Sequence, residues 1–309
     1  MIDLDPQCVV TRFAPSPTGR LHIGHGWSAL MAMDWAMGRV GRCYGEEGAG
    51  ATGGTLRLRI EDIDGTRSRP EHVAGIIEDL RWLGVEWDGE PVFQSRRLPL
   101  YDAALDRLKA EGLVYPCFCT RAEIAAEIAA SGSAPHDADG PIYPGTCRGL
   151  SGQERADRIA AGEAHCWRID MALAADRAGP LHWRDGDSGL VAAHPERAGD
   201  VVLARRDAPT SYHLAATVDD AEMGITHVLR GNDLRAATDI HRLLQALLGL
   251  PTPLYRHHPL LVDAQGRRLA KRTQGLSLAE LREAGVDPAV LCADLRAGRF
   301  PVGIGLGSA

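Results

Sequence analysis

"RFAPSPTGRLHIGH" (Arg12–His25) closes one apolar run, "CVVTRF" (8–13), and leads into another, "GWSALMAMDWAMGRV" (26–40). The first run reads as a short buried strand and the second as a helix of apolar and small residues. Pro15 and Pro17 stiffen the connection into an extended path. In open α/β sheets, ligands sit outside the carboxyl ends of strands, where a helix N-terminus offers unpaired N–H groups to phosphate. His22 and His25 fall one helical turn apart, so both imidazoles can face one ligand. Gly24 leaves space for a flat ring to approach the backbone. Three readings fit: a metal pair, a catalytic pair facing phosphate, and a pair that caps or packs under a helix. A metal would need further ligands, and the stretch itself contains none.

Outward from this point, "TLRLRI" (55–60) alternates like a strand, while "PEHVAGIIEDLRWLG" (70–84) and "YDAALDRLKAEG" (101–112) are amphipathic and end at Gly. The alternation resumes at "DVVLARR" (200–206), "GITHVLRG" (224–231) and "NDLRAATDIHRLLQALLGL" (232–250). Strands interleaved with helices predict an α/β fold, a Rossmann-like, doubly wound parallel sheet. "GAGATG" (48–53) fits G-x-G-x-x-G, but it precedes a strand instead of linking a strand to a helix, and it reads as a loop.

The expected division is a catalytic domain at 1–114 and 191–262, a small inserted subdomain at 115–190, and a loop with a short helical C-terminus at 263–309. The insert carries the loop-like "ASGSAPHDADGPIYPG" and three of the seven cysteines, Cys117, Cys119 and Cys147. Such clustering, with no export signal at "MIDLDPQC", favours a metal site over disulfides. On spacing alone the three fall one short of four zinc ligands, and His136 competes for the fourth place. Cys8, Cys43, Cys166 and Cys292 read as small buried hydrophobes.

The 309 residues are 45% hydrophobic and 24% charged, ordinary values for a globular chain. With no apolar run long enough for a membrane span, a cytoplasmic protein with no membrane partner is expected. A net charge of −7 leaves any nucleic-acid contact to a local basic face, for which Arg96-Arg97, Arg205-Arg206 and "GRRLAKR" (266–272) are candidates.

The opening stretch resembles the signature of class I aminoacyl-tRNA synthetases, in the form used by the glutamyl branch. The resemblance implies that His22, Gly24 and His25 hold ATP, with both histidines stabilising the transition state of adenylate formation. The second, mobile signature of that family, Lys-Met-Ser-Lys-Ser, is matched by "RLAKR" (268–272), with Lys271 at the lysine that contacts the ATP phosphates. Arg268 replaces the first lysine and Ala270 the serine. In "LRIEDID" (58–64) the resemblance gives Glu61 to the substrate ammonium, leaving Asp62 and Asp64 as turn caps. It places the amino acid against Arg12, Phe13, Ala14, Pro15 and Ser16, with Tyr212 of "RRDAPTSYHLAATVDD" and Arg230 of "THVLRGNDL". A substrate with two carboxylates calls for two guanidiniums, which Arg12 and Arg230 would supply in either assignment. Short glutamyl-synthetase-like proteins carry Cys-x-Cys…Tyr-x-x-x-Cys, which makes Tyr143 the fourth ligand of a structural Zn²⁺ with Cys117, Cys119 and Cys147.

No anticodon-reading domain is expected after the second signature, where residues 276–309 fit only two short helices and a Gly-rich tail. The resemblance then narrows to the short paralogues that place glutamate on the queuosine of the tRNA(Asp) wobble position. It implies ATP with Mg²⁺, L-glutamate and queuosine-bearing tRNA(Asp) as partners of a monomer. Three rivals are a synthetase charging the 3′ end of tRNA(Glu), a nucleotidylyltransferase sharing the histidine signature, and a zinc RNA-binding module without catalysis.

Overall fold

Strand β1 (Val10–Phe13) pairs in parallel with β2 (Thr55–Ile60), from Val10 opposite Thr55 to Phe13 opposite Leu58, and β3 (Val92–Phe93) continues that sheet beyond β2. The molecule is represented by a computed structural model that describes residues 9–38, 53–130, 136–137, 140–205, 208–267, 269 and 277–307. Alternation along "TLRLRI" sends Leu56, Leu58 and Ile60 into the core. Helix α1 (Ile23–Ala36) is apolar on nearly every face and is covered on both sides. One side meets the sheet; the other meets α9 (Leu278–Glu283) and α10 (Pro288–Arg296), where Arg296 clamps Asp34 at 2.7 and 3.1 Å. The next two helices, α2 (Pro70–Trp82) and α3 (Leu98–Ala110), both start on a proline in the first turn and end before a left-handed glycine, Gly84 and Gly112.

A second sheet joins β4 (Val114–Cys117), β7 (Cys166–Ile169) and β10 (Val202–Ala204), all antiparallel. Around it lie α4 (Arg121–Ala130), the short pair β5 (His136–Asp137) and β6 (Gly140–Pro141), α5 (Gly152–Ala160) and α6 (Met171–Ala178). The hairpin of β8 (His182–Asp185) and β9 (Gly189–Ala192) belongs elsewhere: β8 runs parallel to β12 (Leu254–His258), which is parallel to β11 (His227–Gly231). Pairing thus crosses the expected 190/191 edge in both directions, β8 joining the parallel strands and β10 the second sheet.

Strand β11 lies beside β1, and the Thr226 N–H donates to the Val10 carbonyl at 2.9 Å. The order is β3-β2-β1-β11-β12-β8-β9: the chain winds from β1 through β2 to β3 on one side, and on the other β11 is followed by β12, which inserts against the earlier β8. The point of reversal, between β1 and β11, is where a doubly wound sheet opens a crevice at its carboxyl ends. Helices α7 (Tyr212–Glu222) and α8 (Ala237–Leu248) pack with α3 over a second core that includes Leu105, Leu214 and Leu243. Strands β13 (Leu261–Asp263) and β14 (Ile304–Leu306) pair antiparallel, so the Gly-rich tail ends in a strand. Among the described residues, no helix is long and apolar enough to cross a membrane.

Candidate active site

A cavity of about 740 Å³ opens at the carboxyl ends of β1 and β11. The structure brings together on its wall Arg12, Phe13, Ala14, Pro15, Ser16, His22, Gly24, His25, Glu61, Tyr212 and Arg230. Lys271, with most of "RLAKR", lies outside the described residues. The chain beyond it returns to the same wall, where the Leu278 N–H donates to the Leu21 carbonyl at 2.9 Å.

His22 is the N-cap of α1. Its Nδ1 accepts the Gly24 N–H at 3.1 Å, while Nδ1 of His25 accepts the His22 N–H at 3.1 Å, a capping box built from two imidazoles. The rings lie 3.7 Å apart between centroids, tilted by 32°. With Nδ1 of each ring an acceptor, the neutral tautomer carries its proton on Nε2. A Cβ at Gly24 would come within 3.0 Å of His22 Cε1, so glycine is what lets the cap ring lie there.

Beneath the histidines is a buried charge network. Asp220 takes Arg12 Nε at 3.1 Å and Arg59 Nη1 at 2.6 Å on one oxygen, and Arg59 Nη2 reaches Glu61 at 3.2 Å. Arg12 also donates to the Leu229 carbonyl at 3.1 Å, tying β1 to β11. Asp219 next door accepts from Gln94, Arg97 and Tyr101 at 2.7–2.8 Å. Burial works to raise the Asp220 carboxyl, but Arg12 and Arg59 hold it below its ordinary value. Burial does raise Glu61, against the pull of Arg59 and Arg12. Asp62 and Asp64 face other duties: Asp62 accepts from Ser95 N–H and Oγ, and Asp64 from Thr66 and Arg67.

Arg230, only 5% exposed, is held differently. Its Nη1 donates to Tyr212 Oη at 3.2 Å and to His241 Nδ1 at 3.3 Å, its Nη2 to Thr238 Oγ1 at 2.6 Å, and its Nε to His257 Nε2 at 3.3 Å. Burial drives His241 well below its ordinary value and takes His257 down to about 3, so both rings are neutral acceptors. Sequence reading missed Arg59, Asp219, Asp220, Thr238, His241 and His257. One signal was available: Thr238, His241 and Gln245 fall on a single buried stripe of the amphipathic α8.

Some distance along the second sheet, Cys117, Cys119 and Cys147 place their sulfurs within 4.8 Å of one another. Cys119 Sγ lies 3.4 Å from Cys147 Sγ and 3.5 Å from the Tyr143 hydroxyl, whose oxygen accepts the Cys147 N–H at 2.9 Å. Tetrahedral zinc with Zn–S near 2.3 Å sets sulfurs about 3.8 Å apart, so these residues fit such an ion and could hold one. The neighbouring Cys166 thiol, opposite Cys117 on β7, hydrogen-bonds Cys117 and helps take it down to about 4, the thiolate form a metal needs. The His136 side chain lies outside the described residues.

The crevice between β1 and β11 gathers the histidine cap and both arginines into one cavity. The profile of the tRNA synthetases class I (E and Q) catalytic domain matches residues 8–302. The chain belongs to that family. As a class I tRNA synthetase catalytic domain, it is an enzyme of the ligase type. Among curated relatives, the glutamyl-Q tRNA(Asp) synthetase of Rhodobacter capsulatus is 46% identical, over 91% of this chain and 97% of that protein. That of Symbiobacterium thermophilum is 44% identical, over 90% and 82%. Among solved structures, a glutamate-tRNA synthetase from Elizabethkingia anophelis superposes with a TM-score of 0.75 at 28% identity, covering 96% of this chain. A glutamate tRNA ligase from Elizabethkingia meningosepticum, solved with its amino acid, gives 0.72 at 26% and covers 97% of this chain. The chain spans 62% and 66% of those two synthetases.

Proposed function

We propose that this class I synthetase activates L-glutamate with ATP and transfers the glutamyl group to queuosine at the wobble position of tRNA(Asp). The observation that carries the reading is one cavity with two characters. Arg12, Arg230, Tyr212 and Glu61 suit a dicarboxylate with an ammonium group, beside two imidazoles whose Nε2 protons suit a triphosphate. The names of the relatives that match over nearly their whole length support the choice of acceptor.

In this reading the α-carboxylate of glutamate attacks the α-phosphorus of ATP, forming glutamyl-adenylate as pyrophosphate leaves. His22 and His25 donate to the phosphate oxygens as charge builds, Gly24 gives the nucleotide room, and Lys271 meets the phosphates. Mg²⁺ accompanying ATP would neutralise part of the phosphate charge. Arg12 and Arg230 take one carboxylate each; Phe13 to Ser16 shape the floor, and Glu61 and Tyr212 orient the ammonium end. A hydroxyl of the queuosine cyclopentene ring then attacks the adenylate carbonyl, and AMP departs with the proton. Cys117, Cys119, Cys147 and Tyr143 would hold a structural Zn²⁺ that staples the second sheet to its loop. We place the enzyme in the cytoplasm as a monomer.

The test offers labelled glutamate and ATP to queuosine-containing tRNA(Asp), to its unmodified transcript, and to tRNA(Glu). Base-labile label on modified tRNA(Asp) alone is expected. Label confined to tRNA(Glu) overturns the reading in favour of charging at the 3′ end.

A further inference from the structure

We infer that Thr238, His241 and His257 are positioning residues that set the preference for a carboxylate, by holding Arg230 through neutral acceptors only. The inference rests on the glutamate-activating reading of the site.

Two arginines face the cavity, and they differ in what balances them. Arg12 shares the Asp220 carboxylate, so its charge is matched inside the protein. Arg230 is equally buried, yet no carboxylate among the described residues lies within ion-pair distance of it. Four of its donor contacts end on a phenol, a threonine hydroxyl and two imidazoles. Behind this shell, against His257, is Asp185. It stands one ring away, 3.5 Å from His257 Nδ1, and is already engaged by Arg235 Nη1 at 2.7 Å and by the N–H groups of Asp187 and Ser188. Its effect on Arg230 passes through His257: by accepting at Nδ1 it fixes the tautomer whose Nε2 lone pair meets Arg230. Thr238 completes the set, taking Arg230 Nη2 on its oxygen and donating to the same His257 nitrogen at 3.1 Å.

The guanidinium is therefore oriented at four points and neutralised at none. A buried cation in that condition gains most from an anion brought by a ligand, and little from a carboxamide of the same shape. Replacing one neutral acceptor by a carboxylate keeps Arg230 in place and removes its demand for the substrate's charge.

The test compares His257→Glu with His257→Gln, whose side-chain carbonyl can accept near the position of Nε2. The readout is ATP–pyrophosphate exchange with glutamate and with glutamine, separated into kcat and KM. His257→Glu is expected to raise KM for glutamate roughly tenfold to a hundredfold, the scale of a charge-assisted hydrogen bond. KM for ATP should move less than about twofold, and the glutamate-over-glutamine preference should shrink. His257→Gln should recover most of the loss. Equal glutamate KM values for the two variants overturn the inference while leaving the function standing. Exchange by the wild type that ignores glutamate overturns both. Should His257→Glu fail to melt cooperatively, Thr238→Asp against Thr238→Ser makes the same comparison at Nη2.

Discussion

A ring nitrogen that caps a helix is unavailable to a phosphate, and at His22 and His25 that nitrogen is Nδ1 in both rings. Capping uses one end of each imidazole, and the phosphate contact proposed above would use the other, Nε2. The two roles separate by substitution. His22→Asn keeps a good N-cap, so the melting temperature should hold within the effect of about 1 kcal/mol, while exchange activity falls about a hundredfold. An activity loss matched by an equal loss of stability would make the histidine only a cap. Asp220 supports a prediction of the other kind. Changing it to Asn leaves Arg12 and Arg59 facing a neutral group in the interior, and urea unfolding should report a loss of about 3–5 kcal/mol. At this scale the sequence displayed residues that line the cavity and hid their supports. His22, Glu61 and Arg230 sit in recognisable strings, whereas Arg59 looks like the outward member of an alternating strand and is fully buried. It is buried because the other face of the strand is covered too, by a helix more than 150 residues on that carries Asp219 and Asp220.

Elements with one apolar face were legible, and those stabilised by partners were not. The strand at 55–60 and the helices near 70–84 and 101–112 follow from periodicity and glycine stops. Strand β12, "LYRHH", carries two histidines and an arginine and shows no apolar pattern; it is a strand because β11 and β8 flank it. Strand β14 likewise lies in a run of glycines and is ordered by β13. The second sheet gives the prediction proper to this scale. Cys147→Ser, or prolonged chelation, should release one zinc per chain by metal analysis and speed amide exchange in β4 and β7, while α1 keeps its protection. Purified protein with no stoichiometric metal would contradict it.

Across the whole molecule the cavity opens between β1 and β11, and alternating strands and helices announced the parallel sheet, though not this meeting point, before any motif was named. What alternation alone did not announce was the mixing of units, with β8 and β10 each pairing outside its nearest neighbours in sequence. The molecule also holds four histidines, His227, His241, His257 and His258, below their ordinary value by burial. Unfolded, each takes up a proton near pH 6.5; folded, they stay neutral, His257 down to about 3. The unfolded chain binds more protons, so stability is full above pH 6.5 and falls as pH drops through that value. Glu61 and Asp79, raised by burial, act in the opposite sense but are two groups against four. Thermal melts should shift down by several degrees between pH 7 and pH 5, and a flat profile would show these rings protonated in the fold.

The pairing of Arg59 with Asp220 spans 161 positions of the chain. During synthesis at 5–20 residues per second, about 8–30 seconds pass between the two residues' appearance. Throughout that interval the nascent first half holds Arg59 with Glu61 but without the two aspartates that it meets in the folded interior. Until β11 and α7 are made, the β1 edge lacks its neighbouring strand and Arg59 lacks Asp219 and Asp220. The cavity, lined by residues on both β1 and β11, is therefore completed only late in translation.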